Sequence, residues 1–514
     1  MSTEVKEFGK WRSRLWPVHN FELKKFIPMI GLLFLILFNY TILRDTKDSL
    51  IVPASGAETI TFIKFWGVLP CAALFMLIFA KLSNVLSKAK LFCYTIGFFV
   101  AFFALFAFVL YPLRETLHPT ESAERLAAML PAGFRGLIAI YKNWTYSLFY
   151  IMSELWGSAA LSLLFWGFAN DITRVSESKR FYSLFGAFAN VALLVSGPLI
   201  IFFSKIRDKV PHDVDAWQVS LNYLMGMVII SGLLTIGIYM WMQKNVLTDP
   251  RFYDTKERER AKKEKPKLSI KESFMYLVSS KYIGCIAVLV LCYGITINLI
   301  EVTWKSQLAK QFTNHNDYSA FMGLFSTLTG FVTIFTTFFV GGNFLRRFGW
   351  SKTALATPII LGITGGMFLA FIIFKESLSG VTAALGTTTL MMAVITGMIQ
   401  NIAAKSTKYA MFDPTKELAY IPLDQEAKVK GKAAVDVVGA RLGKSGGALI
   451  QQGLILSFGS IALITPYVAA ILAAFVLIWI VAARSLAKQF TALTEKKEEK
   501  ATTSPSTQAA PASA

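Results

Sequence analysis

The chain has 514 residues, of which 54% are hydrophobic and only 16% charged, and its 43 Phe residues exceed what one buried core requires. That balance excludes a soluble globular fold and points to a polytopic helical membrane protein, whose lipid-facing surfaces accept such side chains. The formal charge of +20 is scattered between apolar runs, so it belongs to connections that set topology and argues against nucleic-acid binding.

In chain order, residues 1–25 are polar and basic, with no apolar core and cleavage site of a signal peptide. Apolar spans follow near 26–44, 60–80, 91–112, 144–169, 182–203 and 220–242. A charged connection leads to a second set near 281–305, 319–341, 352–374, 379–404, 433–458 and 461–484. Each has about the ~20 residues a helix needs to cross the hydrocarbon. The expected organisation is a segment 1–25, a six-helix half 26–242, a basic linker 243–272, a second half 273–490 and a low-complexity tail 491–514. Connections rich in Lys and Arg alternate with balanced ones, which predicts both termini on the cytoplasmic side. Six helices, a basic connection and six more predict an all-α membrane protein of twelve transmembrane helices in two halves, major-facilitator-like, with a solute site between the halves.

Charges inside the spans mark that site, because an ionised group at mid-membrane faces a partner or a wet cavity. Tyr40, Arg44, Lys47 and Asp48 follow helical spacing at the end of span one, and Lys64 is early in span two. Span four has Tyr150, Glu154 and Ser158 in steps of four; span seven has Gly294, Asn298, Glu301 and Lys305 on one face. Glu301 and Lys305 have the spacing of a pair on one helix. Glu154 has no partner one turn away and must look to another helix or to water. Span eleven carries Asp436, Arg441 and Lys444 among Gly439, Gly443, Gly446 and Gly447, so another backbone or a ligand can come close. The expected substrate-facing set is therefore Arg44, Lys47, Lys64, Tyr150, Glu154, Asn298, Glu301, Lys305, Asp436, Arg441 and Lys444. Its mixture of cations and acids suits a bulky polyanion that must be released as well as bound.

Other chemistry finds less support. The run GARLGKS at 439–445 has three residues before its Gly-Lys pair, where a phosphate-binding loop has four, and it lies in a helix rather than after a strand. Cys71, Cys93, Cys285 and Cys292 lie in apolar runs, and the four His residues fall in polar connections. No nucleophile, base cluster or metal spacing marks an enzyme, and no cofactor or metal is expected.

Several blocks carry a family resemblance: NYTILRDTKDSLIVP (39–53), SELWGS (153–158), FWGFANDITR (165–174), EVTWK (301–305) and the long run 408–447. Over about residues 20–490 the chain resembles the ATP/ADP translocases of obligate intracellular bacteria and plastids. The resemblance implies exchange of host ATP for bacterial ADP, with phosphate moving in some members, and matches functionally important charges to Lys64, Glu154, Glu301 and Lys444. Proton-coupled or broad-range nucleotide and NAD importers of the same family are the alternative. The absence of a transit peptide points to a bacterial inner membrane. Both halves of the site lie in one chain, so a monomer is the expected transport unit.

Overall fold

The computed structural model describes residues 16, 18–211, 213–249, 252, 280–424, 431, 432, 435 and 440–503. Among them, ten helices are long and apolar enough to cross a membrane. Six belong to the first part: α1 Asn20–Ser55, α2 Glu58–Val85, α3 Lys88–Leu110, α4 Trp144–Ile172, α5 Leu184–Lys209 and α6 Ala216–Asn245. In the second part come α7 Lys281–Gln311, α8 His315–Gly341 and α9 Asn343–Ile373. Two more polar helices follow where spans ten and eleven were expected, α10 Thr389–Thr407 and α11 Ala440–Phe458. The last of the apolar set is α12 Ile461–Glu495.

Local chemistry sets the boundaries. Gly56 and Gly459, at φ 80° and 89°, turn the chain after α1 and between α11 and α12, where a side chain would be strained. Asp215 caps α6 by accepting from the backbone N–H groups of Trp217 and Gln218 at 2.9 and 3.2 Å. Ser280, Asn314 and Thr388 cap α7, α8 and α10 in the same way.

α1 is much longer than the span read from the sequence. Its apolar stretch ends near Arg44, but the helix continues to Ser55 because the charges that interrupt it are satisfied by other helices. The connection between α3 and α4 also holds short helices, Thr120–Met129 and Arg135–Lys142, unread in the sequence.

In the first part, α1 packs against α4, α5 and α6, and α6 against α3; in the second, α7 packs against α10, α11 and α12, and α9 against α10 and α12. The two sets meet along α5 and α8 and along α2 and α11. A Cβ built on Gly197 of α5 would lie 2.7 Å from the Gly323 carbonyl oxygen of α8, and one on Gly323 only 2.8 Å from that of Gly197. Small residues thus let these backbones touch, as apolar solvent requires when packing alone holds helices together. Large apolar side chains such as Trp66, Leu77, Phe98, Phe202, Ile230, Phe331 and Leu477 point outward, forming a lipid-facing surface.

Candidate substrate site between the helix sets

The intramembrane charges converge where α1, α4 and α7 meet. Lys47 of α1 lies 3.0 Å from the carboxylate of its neighbour Asp48 and 3.1 Å from Glu154 of α4. Lys305 of α7 lies 2.9 Å from Asp48 and 2.8 Å from Glu301, one turn back on its own helix. Asp48 therefore bridges a lysine from each helix set. Burial grades across the network: the side chains of Asp48, Lys305 and Lys47 are 1%, 2% and 4% exposed, whereas Glu301 and Glu154 are 29% and 33% exposed. The centre is a dry ion pair cluster, and the two glutamates are its wet rim.

A second pair sits one turn away on α1. Arg44 lies 2.9 Å from Asp45, its guanidinium donates to the Ser326 hydroxyl of α8 at 2.6 Å, and that hydroxyl donates to Asp45 at 2.5 Å. Because dry charges need every lone pair and proton engaged, this triad fixes α1 against α8. The Lys47 ammonium also lies 3.9 Å from the ring centroid of Tyr150, whose hydroxyl has no hydrogen-bond partner among the described residues.

Lys64 of α2 is half-buried in a wide π-helical turn, Ile63–Val68, and its electrostatic neighbours are Glu301, Lys305, Glu154 and Lys47. Similar π turns follow Glu154 in α4, over Gly157–Phe165, and extend α10 over Lys408–Phe412. Such turns re-aim the side chains of a helix and recur at functional positions. Asn298 is buried on α7 beneath α11: a Cβ on Gly447 would lie 2.9 Å from the Asn298 Cβ, and one on Gly443 3.2 Å from the Gly294 Cα. The glycine face of α11 thus admits the α7 backbone. Of the charges expected on α11, Asp436 lies outside the described residues, and for Arg441 and Lys444 only the helical backbone is described.

The geometry brings together Arg44, Lys47, Lys64, Tyr150, Glu154, Glu301 and Lys305 from both sets of helices. Sequence reasoning missed Lys405, which falls just past the span read near 379–404. This half-buried residue is on α10, its ammonium 4.4 Å from the ring centroid of Phe325 of α8, and its electrostatic neighbours include Arg44, Glu301, Asp45 and Lys305. Asp45 and Ser326 were also missed; neither is recognisable until α8 is laid beside α1.

Two apposed sets of membrane-crossing helices, with a charged centre between them, give the chain a major-facilitator-like fold. The fold is similar to a bacterial homologue of the iron transporter ferroportin in its inward-facing state, with a TM-score of 0.58 at 13% identity over 91% of this chain and 99% of that one. It is similar to a D-xylose–proton symporter with a TM-score of 0.54 at 12% identity, over 90% and 97% of the two chains.

The chain belongs to the TLC ATP/ADP transporter family, whose model matches residues 1–490. It is 59% identical to ADP,ATP carrier protein 1 of Chlamydia pneumoniae over 97% of both chains. It is 50% identical to the chloroplastic ADP,ATP carrier protein 1 of Arabidopsis thaliana over 94% of this chain and 77% of that one. To ADP,ATP carrier protein 1 of Rickettsia typhi the identity is 42%, over 97% of this chain and 100% of the other. The protein is a multi-pass membrane transporter and not an enzyme.

Proposed function

We propose that this transporter exchanges ATP for ADP by alternating access, importing ATP from a host cell. The observation that carries the reading is the ion cluster in which Asp48 binds Lys47 from its own helix set and Lys305 from the other. A polyanion entering it competes with the carboxylates for the lysines, so binding and the apposition of the two halves are coupled. The carboxylates re-form the pairs once the anion leaves, which keeps an empty site from holding unpaired charge in a dry environment. The relatives named as ADP,ATP carriers support adenine nucleotides as that polyanion.

In this reading Arg44, Lys47, Lys64, Lys305, Arg441 and Lys444 neutralise phosphate oxygens. Glu154, Glu301 and Asp436 hold the cations between turnovers, and Tyr150 and Asn298 shape the cavity. The halves 26–242 and 273–490 rock about the site as units, joined by the linker 243–272. Phosphate leaves with ADP through the same cavity, offsetting the extra negative charge of ATP. One chain is the complete transport unit. The protein resides in a bacterial inner membrane, and the basic connections support placing both termini in the cytoplasm.

Purified protein in liposomes loaded with ADP, or left empty, tests the reading. Labelled ATP should enter only the loaded vesicles, and unlabelled ATP and ADP should compete better than GTP, UTP or NAD. Uptake into empty vesicles driven by a pH gradient would replace exchange with proton coupling. Internal phosphate should change the rate or the voltage dependence of uptake; if it changes neither, phosphate takes no part.

A further inference from the structure

A polyphosphate needs cations that are free to meet it, and the cations of this site differ in that freedom. Lys47 and Lys305 are each held by two carboxylates, and Arg44 by Asp45 and Ser326. To meet a substrate, each must first loosen a dry ion pair. Lys405 is held differently. Its ammonium rests on the face of Phe325, and among the described residues no carboxylate lies within ion-pair distance of it. Phe325 is fixed in turn by the buried indole of Trp304, 4.9 Å away between ring centroids.

The physical difference is one of release. An ammonium on an aromatic face is held by roughly 0.5–2 kcal/mol. Its bond to a phosphate oxygen is charge-assisted and about twice as strong as a neutral hydrogen bond. An arriving anion therefore lifts Lys405 from the ring without stranding a buried carboxylate. Arg44 and Lys305 lie among the electrostatic neighbours of Lys405 together with the carboxylates of Glu301 and Asp45, so a phosphate docked on Lys405 has further cations close by. Lys405 also belongs to the second set of helices, whereas Lys64 belongs to the first.

We propose that Lys405 is a substrate-binding cation that docks a phosphate oxygen of a nucleoside polyphosphate and rests on Phe325 between turnovers. The proposal rests on the nucleotide-exchange reading of the site. With Lys64, it grips one polyanion from both halves, so that only a loaded site draws the halves together through the substrate.

The test uses the full chain in ADP-loaded proteoliposomes. Lys405→Gln should raise the apparent KM for ATP about 10- to 100-fold, the equivalent of one lost charge-assisted contact, and Lys405→Arg should recover most of it. In a background with Cys71, Cys93, Cys285 and Cys292 changed to Ala, Lys405→Cys supplies a readout within one folded population. A cationic aminoethyl thiosulfonate should restore uptake, an anionic sulfonatoethyl reagent should not, and ATP should slow both modifications. A Lys405→Gln protein with an apparent KM within about twofold of the unmodified protein would overturn the proposal. So would modification of Lys405→Cys at equal rates with and without ATP, or equal rescue by either reagent. If Lys405→Cys does not reach the membrane, the Gln and Arg variants decide by their KM values. Absence of exchange by the unmodified protein would strike the nucleotide-exchange reading instead, and protection of Lys405→Cys by inorganic tripolyphosphate would then decide the role of Lys405 separately.

Discussion

The two ends of the helix bundle are held together in different ways. At the end carrying the basic connections, four ion pairs among the described residues each stay within one set of helices. Lys25 lies 2.7 Å from Glu177 and Arg180 lies 2.6 Å from Glu22 in the first set; Lys408 lies 2.9 Å from Asp413 and Lys432 lies 2.6 Å from Glu417 in the second. At the opposite end the bonds cross between sets. The ring Nδ1 of His315 is 2.6 Å from the Ser49 carbonyl, and Asn316 donates to the Ser204 carbonyl and the Ser220 hydroxyl at 2.9 and 2.8 Å. Ser204 donates to Ser319 at 2.9 Å, and Arg207 lies 3.1 Å from Asp317. The short helices of the α3–α4 connection add a cover, since a Cβ on Gly133 would lie 2.7 Å from the Leu456 carbonyl of α11. On the alternating-access reading proposed above, the pairs of one end hold each helix set together and the bonds of the other close between the sets. Most of the crossing bonds are neutral, each worth about 0.5–1.5 kcal/mol net, so the closed end is a latch rather than a weld.

The largest expected effect lies between the ends. Asp48→Asn leaves Lys47 and Lys305 to share what the rim glutamates supply, inside a dry cluster. Loss of a buried partner costs about 3–5 kcal/mol. ATP uptake per reconstituted molecule should fall more than a hundredfold. The double variant Asp48→Asn with Lys305→Met should regain thermal stability without regaining transport. Recovery of both would make the cluster a packing device and leave the substrate elsewhere.

Lys25→Met tests the end that holds within one set. Its ammonium is fully buried between Glu177 and the Phe252 carbonyl, so its loss takes the ion-pair partner from a buried carboxylate that also accepts from the Arg174 backbone N–H. The melting temperature in detergent should drop by several degrees, with a destabilisation of about 3–5 kcal/mol. ATP exchange per surviving folded molecule should stay near normal. An unchanged melting temperature with lost exchange would move this pair into the transport cycle and erase the contrast between the ends.

What the sequence made legible follows from what each residue's partner was. Glu301 and Lys305 share a helix, so their spacing revealed their pairing. Glu154 announced the need of a partner, but only the folded chain names Lys47. The end of α1 was placed near Arg44 because Asp45, Lys47 and Asp48 interrupt the apolar run; Ser326, Glu154 and Lys305 satisfy these charges and let the helix continue through them. Lys405 was hidden for the opposite reason. It adjoins a long basic connection and resembles a topology-setting charge, although an aromatic face on α8 awaits it. The crossing bonds at the closed end were unreadable, since Ser204, Ser220, Asn316 and Ser319 are ordinary polar residues until α5, α6 and α8 meet.

Asn316→Ala tests the latch. It removes two buried bonds that tie α8 to α5 and α6, at about 0.5–1.5 kcal/mol each. Spin labels placed on the α3–α4 connection and at the start of α12 should show a larger fraction of widely separated pairs than in the unmodified protein. Addition of ATP should still shift that fraction. An unchanged distance distribution would mean that backbone packing at Gly197 and Gly323, rather than this hydrogen bonding, holds the end closed.

The smallest effect, and the finest test of the comparison, is expected from Arg207 and Asp317. Both side chains are 51% exposed, so water and salt screen a pair that is otherwise well placed to bridge α5 and α8. Exposed ion pairs contribute about 0.2–1 kcal/mol, and the Debye length shrinks from ~10 Å at 0.1 M salt to ~3 Å at 1 M. Arg207→Ala should therefore raise the open-to-closed ratio at that end by about 1.4- to 5-fold at low salt. In molar salt the unmodified protein should approach the variant, because screening removes what the substitution removed. The same spin labels read both conditions. A variant that matches the unmodified protein at low salt would show that this pair merely decorates the closed end. A shift that persists undiminished in molar salt would trace to lost packing of the arginine stem, and the latch would then be apolar and neutral throughout.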